Sequence, residues 1–371
     1  MKITDVRKIF SRNNLYLKVI TDEGIYGVGE CTLNTRQLGV AGVLDHLKPV
    51  LIGQNPMNIE HIWQDIFRGT FWRGGPVLQS ALSAVDAALW DIKGKALNTP
   101  VYNLLGGAAR EKILVYTHVR GYELEEFGED ALRKVEQGYK VLRICPHDIP
   151  GTVYEPGPLI RRSVKFMEHL RKLVGEDIEI ILEVHTRLNP ARAIELCNAV
   201  ADLRPLFVED PLRSDSPEAF KVLREHTNVP LATGEKFGPK WDYRYIIEND
   251  LIDYVRTDVC NCGGLTEAKK IAALAETHYQ EMAPHGLPSM VGTMTALHLD
   301  MAIPNLLVQE FFFTREKDHY IRYNIEFKDG YVSIPPAPGL GVDIIEEACT
   351  ETFEMVEHPH WRREDGSVQD W

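Results

Sequence analysis

The sequence predicts an α/β protein, a βα barrel joined to a smaller α+β unit. Three observations carry this expectation. From about residue 113 to about 315, apolar strands alternate with amphipathic helices; six polar residues close six consecutive strand segments at near-equal intervals; and both ends of the chain lack that rhythm. A chain of 371 residues also exceeds the roughly 250–300 residues at which single hydrophobic cores stop growing, so two domains are expected.

The first 35 or so residues read as antiparallel strands: "LYLKVIT", a turn at Asp22-Glu23-Gly24, then "IYGVGE". Helical spacing follows from about 40 to 96, clearest in "VLQSALSAVDAALWDIKGKAL", and this α+β unit closes near Gly106-Gly107. The next segments are "ILVYTHV", "KVLRIC", "EIILEVH", "LFVED", "PLATGE", "YVRTDVC", "EMAPH" and "LLVQEF", each separated from the next by a helical stretch. Repeated βα units build a parallel sheet, and this many in about 200 residues favour closure into a barrel. A doubly wound open sheet is the alternative, but no GxGxxG or Walker loop follows any strand. Beyond 315 the Pro/Gly-rich "GYVSIPPAPGLGVDI" reads as a return to the first unit. The expected division is therefore 1–112 plus 318–371 for the α+β unit and 113–317 for the barrel.

Composition excludes several classes. A formal net charge of −13 argues against nucleic acid, which is bound by an excess of Lys and Arg. No apolar run approaches the roughly 20 residues that span a bilayer. "MKITDVRKIF" lacks the apolar core of a signal peptide. The six cysteines are scattered rather than densely spaced, so reduced thiols and a cytoplasmic setting are expected. Cys260-Asn-Cys262 has no second pair and reads as packing.

Glu183 closes "IILEVH", Glu209 closes "LFVED" and Glu235 closes "LATGE", at two intervals of 26 residues; Asp258, His285 and Glu310 follow at 23, 27 and 25. One βα unit has about that length, so all six sit at the C-terminal strand ends, where barrel enzymes place their chemistry. Three neighbouring carboxylates repel one another unless they share a cation. Oxygen donors without thiolates favour Mg2+, with Mn2+ as a substitute. Asp258 and His285 are on adjacent strands, where the carboxylate can orient the imidazole as a general base. His185 is two residues beyond Glu183, so strand alternation places both on one side, where His185 would suit a general acid.

The chain resembles the enolase superfamily, and within it the acid-sugar dehydratases of the galactonate and mannonate type. The resemblance rests on "ALSAVDAALWDIKGKALNTPVYNLLGG", "PLFVEDP", "PLATGE", "CGGLTEAKKIAALAE", "APHG", "GLGVDI" and the final "EDGSVQDW". It implies a modified TIM (β/α) barrel under an α+β cap formed by both chain ends. It further implies Glu183, Glu209 and Glu235 as metal ligands, His185 as acid, His285 and Asp258 as the basic dyad, and Glu310 as electrophile to the enolate oxygens. Asn34, His118, Arg143, Tyr154 and Arg256 resemble the substrate contacts of mannonate-type enzymes. Homo-oligomers are common in the family, and no subunit number is read. Glu183 replaces the usual Asp, and Ser289 stands where mannonate enzymes carry Asp.

Racemases of the family place a Lys-x-Lys pair where this chain has Arg143-Ile144-Cys145, and arginine is a poor base. The expected reaction is therefore dehydration of a sugar acid such as mannonate, galactonate or gluconate to its 2-keto-3-deoxy acid. An epimerase with two opposed histidines and a sugar-acid-binding protein with weak catalysis are the alternatives. Trp63, Trp72 and Trp90 read as cap packing, with Trp72 also able to border the substrate. "PHDIPGTVYEPGP" reads as a mobile lid. Trp371 is expected either to reach a neighbouring site or to pack.

Overall fold

A computed structural model describes residues 1–149, 151–286, 289–311, 319–350, 353–354 and 360–370. Trp371 lies outside the described residues. Strands β1 (Ile3–Ser11), β2 (Asn14–Thr21) and β3 (Tyr26–Glu30) form an antiparallel sheet. Helices α1 (Gln37–Leu51), α2 (Ile59–Arg68) and α3 (Pro76–Ala96) complete the cap, and the short α4 (Val101–Leu104) leads out of it. Helix α3 presses directly on β3. A Cβ at Gly27 or Gly29 would collide with the carbonyl oxygen of Ala88 or Ala84, so glycine permits this approach.

The barrel follows as seven βα units and an eighth strand. They are β4 (Ile113–His118), α5 (Leu124–Glu136), β5 (Val141–Ile144), α6 (Pro156–Val174), β6 (Glu179–Glu183) and α7 (Pro190–Val200). Next come β7 (Phe207–Glu209), α8 (Ala219–Arg224), β8 (Leu231–Thr233), α9 (Lys240–Glu248), β9 (Tyr254–Val255) and α10 (Leu265–Glu276). The last are β10 (Glu281–Met282), α11 (Met290–Ala302) and β11 (Gln309–Glu310). Neighbours from β4 to β10 pair in parallel. Strand β11 pairs in parallel with β4, and Leu306 bridges to Met282, which closes the ring. Inward-pointing Tyr116, Val141, Ile181, Phe207, Ala232, Ala283 and Val308 fill its interior. The open-sheet alternative is thereby excluded.

The chain's return is shared between both parts. Strands β12 (Ile321–Tyr323) and β15 (Val342–Ile344) pair antiparallel, and Asp343 accepts a hydrogen bond of 2.6 Å from Tyr26 of the cap sheet. Between them the hairpin β13 (Glu326–Lys328) and β14 (Tyr331–Ser333) adds antiparallel to barrel strand β4.

Cap and barrel are joined by carboxylates on α3. Asp86 accepts from Thr266 N at 3.0 Å and Thr266 Oγ1 at 2.5 Å, at the start of α10. Asp91 accepts from Val28 N, Leu340 N and Lys95 Nζ at 3.0, 2.9 and 2.6 Å. Each buried carboxyl thus meets backbone donors from other segments, which offsets part of its desolvation.

Candidate active site

The C-terminal ends of the barrel strands bring His118 (β4), Arg143 (β5), Glu183 (β6), Glu209 (β7), Glu235, Arg256, Asp258, His285 and Glu310 (β11) to one mouth. Glu183, Glu209 and Glu310 end their strands, whereas Glu235, Asp258 and His285 lie just past β8, β9 and β10.

Two arginines hold the carboxylates together. Arg256 is 0% exposed, and its Nη2 lies 2.5 Å from Glu209 Oε1, 2.8 Å from Glu310 Oε2 and 3.7 Å from Glu235 Oε2. Its Nη1 donates to the carbonyl oxygen of Ala283 at 2.8 Å. Expected as a substrate contact, Arg256 is instead enclosed, because it points into the barrel beneath the mouth. Arg143 Nη2 donates to Glu183 Oε2 and, at 2.9 Å, faces His185 Nε2, while its Nε is 3.6 Å from Glu209.

Glu183, Glu209 and Asp210 offer donor oxygens that lie within 4.8 Å of one another. Glu235 is outside that set and leans toward His285 Nε2 at 3.6 Å. Burial pushes the Glu209 carboxyl well up, Arg256 opposes this, and Glu183 adds to it. The Asp210 carboxyl is pushed up to about 8 by burial, Glu235 and Glu183. Glu183 keeps the charge, because Arg143 and His185 outweigh its burial. Five carboxylates (183, 209, 210, 235 and 310) thus face two guanidinium groups, and protons must make up the difference where no cation does. Neither oxygen of Glu209 accepts a well-formed hydrogen bond among the described residues. Hard oxygen donors with surplus negative charge fit a divalent cation such as Mg2+.

His285 Nδ1 meets Asp258 Oδ2 at 2.7 Å. Burial lowers the His285 pKa, but Glu235, Glu310 and Asp258 outweigh it and raise it to about 9. His185 lies just past β6 and His285 just past β10, four strands apart in a ring of eight, so they stand on opposite sides of the mouth. His185 reaches this position by a route other than strand alternation. Strand β6 ends at Glu183, and His185 and Thr186 have left-handed φ values of 52° and 59°. That turn brings His185 Nδ1 to 3.8 Å from Asp148 Oδ1 and 3.5 Å from Cys145 Sγ. Burial opposes charge on His185, but Glu183 above all raises its pKa well above the ordinary value.

His118 Nε2 is 2.6 Å from Glu310 Oε1, and Arg143 Nη1 approaches its Nδ1 at 3.2 Å. An arginine donor on Nδ1 leaves the ring proton on Nε2, facing Glu310. Burial and Arg143 lower the His118 pKa to about 4, so the ring is neutral near pH 7.

The remaining expected contacts lie apart. Asn34 is exposed in the turn before α1. Tyr154 is buried against Leu159 and Trp361, with its hydroxyl 2.8 Å from His147 Nδ1. The segment expected as a lid is pinned: Tyr154 N donates to Arg362 O, and Arg362 N to Thr152 O, each at 2.8 Å. Ser289 caps α11 and accepts from Tyr16 OH at 2.9 Å.

Sequence reasoning missed Asp210 and Asp148. Alternation sends a residue directly after Glu209 to the opposite face, but a φ of 42° returns Asp210 to the cluster. The "ED" of "VEDP" was its only signal. Asp148 sits in an irregular loop that carries no periodicity.

Residues 8–106 match the family described as mandelate racemase/muconate lactonizing enzyme, N-terminal domain, and residues 126–348 match the enolase C-terminal domain-like family. The chain is 38% identical over 403 residues to a D-mannonate dehydratase of Sphingomonas sp. (strain SKA58), covering 100% of both. It is 37% identical over 390 residues to a D-galactonate dehydratase family member of Streptomyces bingchenggensis, covering 97% of this chain and 95% of the relative. Among solved structures, an enolase from Pantoea ananatis with bound D-gluconate and magnesium superposes with a TM-score of 0.93 at 31% identity, covering 99% of each chain.

Proposed function

The chain belongs to the enolase superfamily, and from that premise we propose that it is a hydro-lyase that removes water from a sugar acid. The observation that carries this reading is the pair His185 and His285, opposed across the barrel mouth with carboxylates between them. One proton acceptor and one proton donor on opposite sides suit elimination across a C2–C3 bond. Relatives named D-mannonate dehydratase and a neighbour holding D-gluconate support a sugar acid as substrate.

Glu183, Glu209 and Glu235 would hold Mg2+, or Mn2+ in its place, with Asp210 beside them. When bound, the ion withdraws charge from the substrate carboxylate and so acidifies the neighbouring C–H. His285, oriented through Nδ1 by Asp258, takes the C2 proton at Nε2 in its neutral form, which a cation held on Glu235 would favour by cancelling the carboxylate charge that otherwise raises the ring's pKa. The C–H electrons first move toward the carboxylate to give an enolate; they then form the C2–C3 double bond as the C3–O bond breaks, and His185 protonates the departing hydroxyl to give water. The enol tautomerises to a 2-keto-3-deoxy acid. His118 donates to Glu310 and fixes that side chain toward the enolate oxygens. Arg143 remains protonated and supplies fixed positive charge where a racemase would need a second base. In this reading residues 1–112 and 318–371 make the cap, apart from the hairpin of β13 and β14 that joins barrel strand β4, and 113–317 make the catalytic barrel.

The test is to incubate the protein and magnesium with stereochemically complete aldonic and aldaric acids, scoring 2-keto acids as semicarbazones. A keto acid from one or a few members is expected. Silence across the set, with the fold intact, would sink dehydration. Solvent deuterium in recovered, inverted substrate would mean epimerisation, and binding without exchange would mean a binding protein.

A further inference from the structure

Cys145, Asp148 and His185 form a second cluster at the edge of the mouth, and only His185 takes part in the proposed elimination. Their sulfur, oxygen and nitrogen donor atoms lie within 4.8 Å of one another. Local structure assembles them. Cys145 directly follows β5, and His185 lies just past β6, the strand with which β5 pairs in parallel. Asp148 N donates to the Cys145 carbonyl at 3.0 Å, so a turn folds Asp148 back beside the thiol. Arg187 Nη1 holds that turn by donating to the His147 carbonyl at 2.7 Å.

His185 Nδ1 is 3.5 Å from Cys145 Sγ and 3.8 Å from Asp148 Oδ1, so both partners approach the same nitrogen. A nucleophilic triad needs its nucleophile and its carboxylate on opposite ring nitrogens, which excludes that reading. Ordinary hydrogen bonding does not account for the pair either, because Nδ1 offers one proton or one lone pair. Three donors converging on one point describe coordination of a cation. In a tetrahedral zinc site, bonds of about 2.3 Å to sulfur and about 2.0 Å to nitrogen place those two ligand atoms about 3.5 Å apart, which is the separation found here. A carboxylate oxygen would stand about 3.3 Å from the nitrogen, and Asp148, whose side chain is 57% exposed, reaches that by a small shift. Arg187 Nη2 approaches Asp148 Oδ1 at 3.4 Å; the second carboxylate oxygen lets this pairing coexist with a cation.

A thiolate and an imidazole select Zn2+ over Mg2+. The histidine ring separates the two kinds of site. Its Nε2 is 4.0 Å from Glu183 Oε2 and 2.9 Å from Arg143 Nη2, on the side of the inner carboxylates, whereas Nδ1 faces the loop after β5. We propose that Cys145, Asp148 and His185 Nδ1 bind one Zn2+ with water as the fourth ligand, and that this ion stops His185 from delivering a proton. Zinc at Nδ1 takes the place of one of the two imidazolium protons. The other, on Nε2, turns to Glu183, as a metal-bound histidine turns its second N–H to a carboxylate, and Arg143 gives way. The ring is then fixed and has no proton to spare for a leaving hydroxyl. This blocking effect rests on the role proposed for His185; the binding does not.

Co2+, a coloured substitute for Zn2+, tests the site without any activity. Added in equal amount to protein saturated with Mg2+, it should give the near-ultraviolet absorption of a thiolate-bound cobalt, and Zn2+ should erase that band. Cys145→Ser should lose the band and, in equilibrium dialysis, hold Zn2+ more weakly by at least about tenfold. Asp148→Asn, on an exposed side chain, should weaken Zn2+ while keeping the band. Glu209→Gln should keep the band unchanged, which distinguishes this site from the carboxylate cluster. An unaltered melting transition verifies each fold. No band in the parent, or a band that persists in Cys145→Ser, would overturn the site. On a sugar acid that the protein dehydrates, Zn2+ should slow the parent and spare Cys145→Ser; equal inhibition of both would overturn the blocking effect. A protein that shows the band and dehydrates nothing would refute the proposed reaction and leave the zinc site standing.

Discussion

His285 Nδ1 and the Asp258 carboxylate stand 2.7 Å apart at the ends of adjacent strands, which leaves Nε2 as the nitrogen that faces the mouth. Asp258 is itself fixed, since its Oδ1 accepts from Cys260 N at 2.6 Å and its Oδ2 from Asn261 Nδ2 at 2.9 Å. His285→Asn should abolish exchange of the substrate α-proton with solvent, and Asp258→Asn should slow it by about 10²–10⁴-fold, the scale of general acid–base catalysis. His185→Asn should stop water loss while retaining part of the exchange. NMR of substrate in deuterated buffer checks all three. Full exchange in His285→Asn would remove it as the base.

Surplus carboxylate in the mouth makes the protein's stability depend on cation. Millimolar Mg2+ added to chelator-treated protein should raise the melting temperature, since a ligand at about 100 times its Kd adds about 2.7 kcal/mol. Glu209→Gln should blunt the response, because Glu209 shares the oxygen cluster with Glu183 and Asp210 and the substitution removes one of its negative charges. Calorimetric scans with and without Mg2+ read this independently of any activity, and an equal shift in parent and variant would place the ion elsewhere.

What could be read from the sequence was whatever the βα repeat fixes. Glu183, Glu209 and Glu235 fall in register because each strand, helix and return consumes a similar length of chain, and Glu310 follows by the same rule. Residues set by turns obeyed no such period. His185 and Asp210 reach the site through left-handed backbone at φ 52° and 42°, which alternation cannot foresee. Arg256 and Tyr154 are expected as substrate contacts only through the resemblance to mannonate-type enzymes, and their burial is decided by tertiary packing: one guanidinium is taken by carboxylates, one hydroxyl by His147. Asp86 and Asp91 were visible only as letters of a motif, and their partners lie 180 and up to 249 residues away.

Asp91 joins three segments through Val28 N, Leu340 N and Lys95 Nζ. Asp91→Ala would leave two buried N–H groups without acceptors, at about 1–3 kcal/mol each. The variant should melt several degrees lower and lose the docking of the chain's return on the cap. Hydrogen exchange should speed up at Val28 and Leu340 first. A uniform effect across the barrel would show that Asp91 acts on global stability alone.

Asp300 on α11 is fully buried, and neither carboxylate oxygen has a partner among the described residues. Burial raises its pKa well above the ordinary 3.8, and Arg110 only partly opposes this. The folded protein therefore keeps this proton, while the unfolded chain releases it above about pH 4. With more protons bound in the folded state, stability falls as pH rises from that point up to the raised folded value. Asp86 and Asp210 have the same sign, so the parent's slope alone cannot isolate Asp300. Asp300→Asn removes one such proton. The parent's stability minus that of Asp300→Asn should thus decline as pH rises above about 5, by about 1.4 kcal/mol per pH unit at most. Paired urea melts at four pH values measure that difference, and a flat difference would mean that Asp300 is ionised in the folded protein.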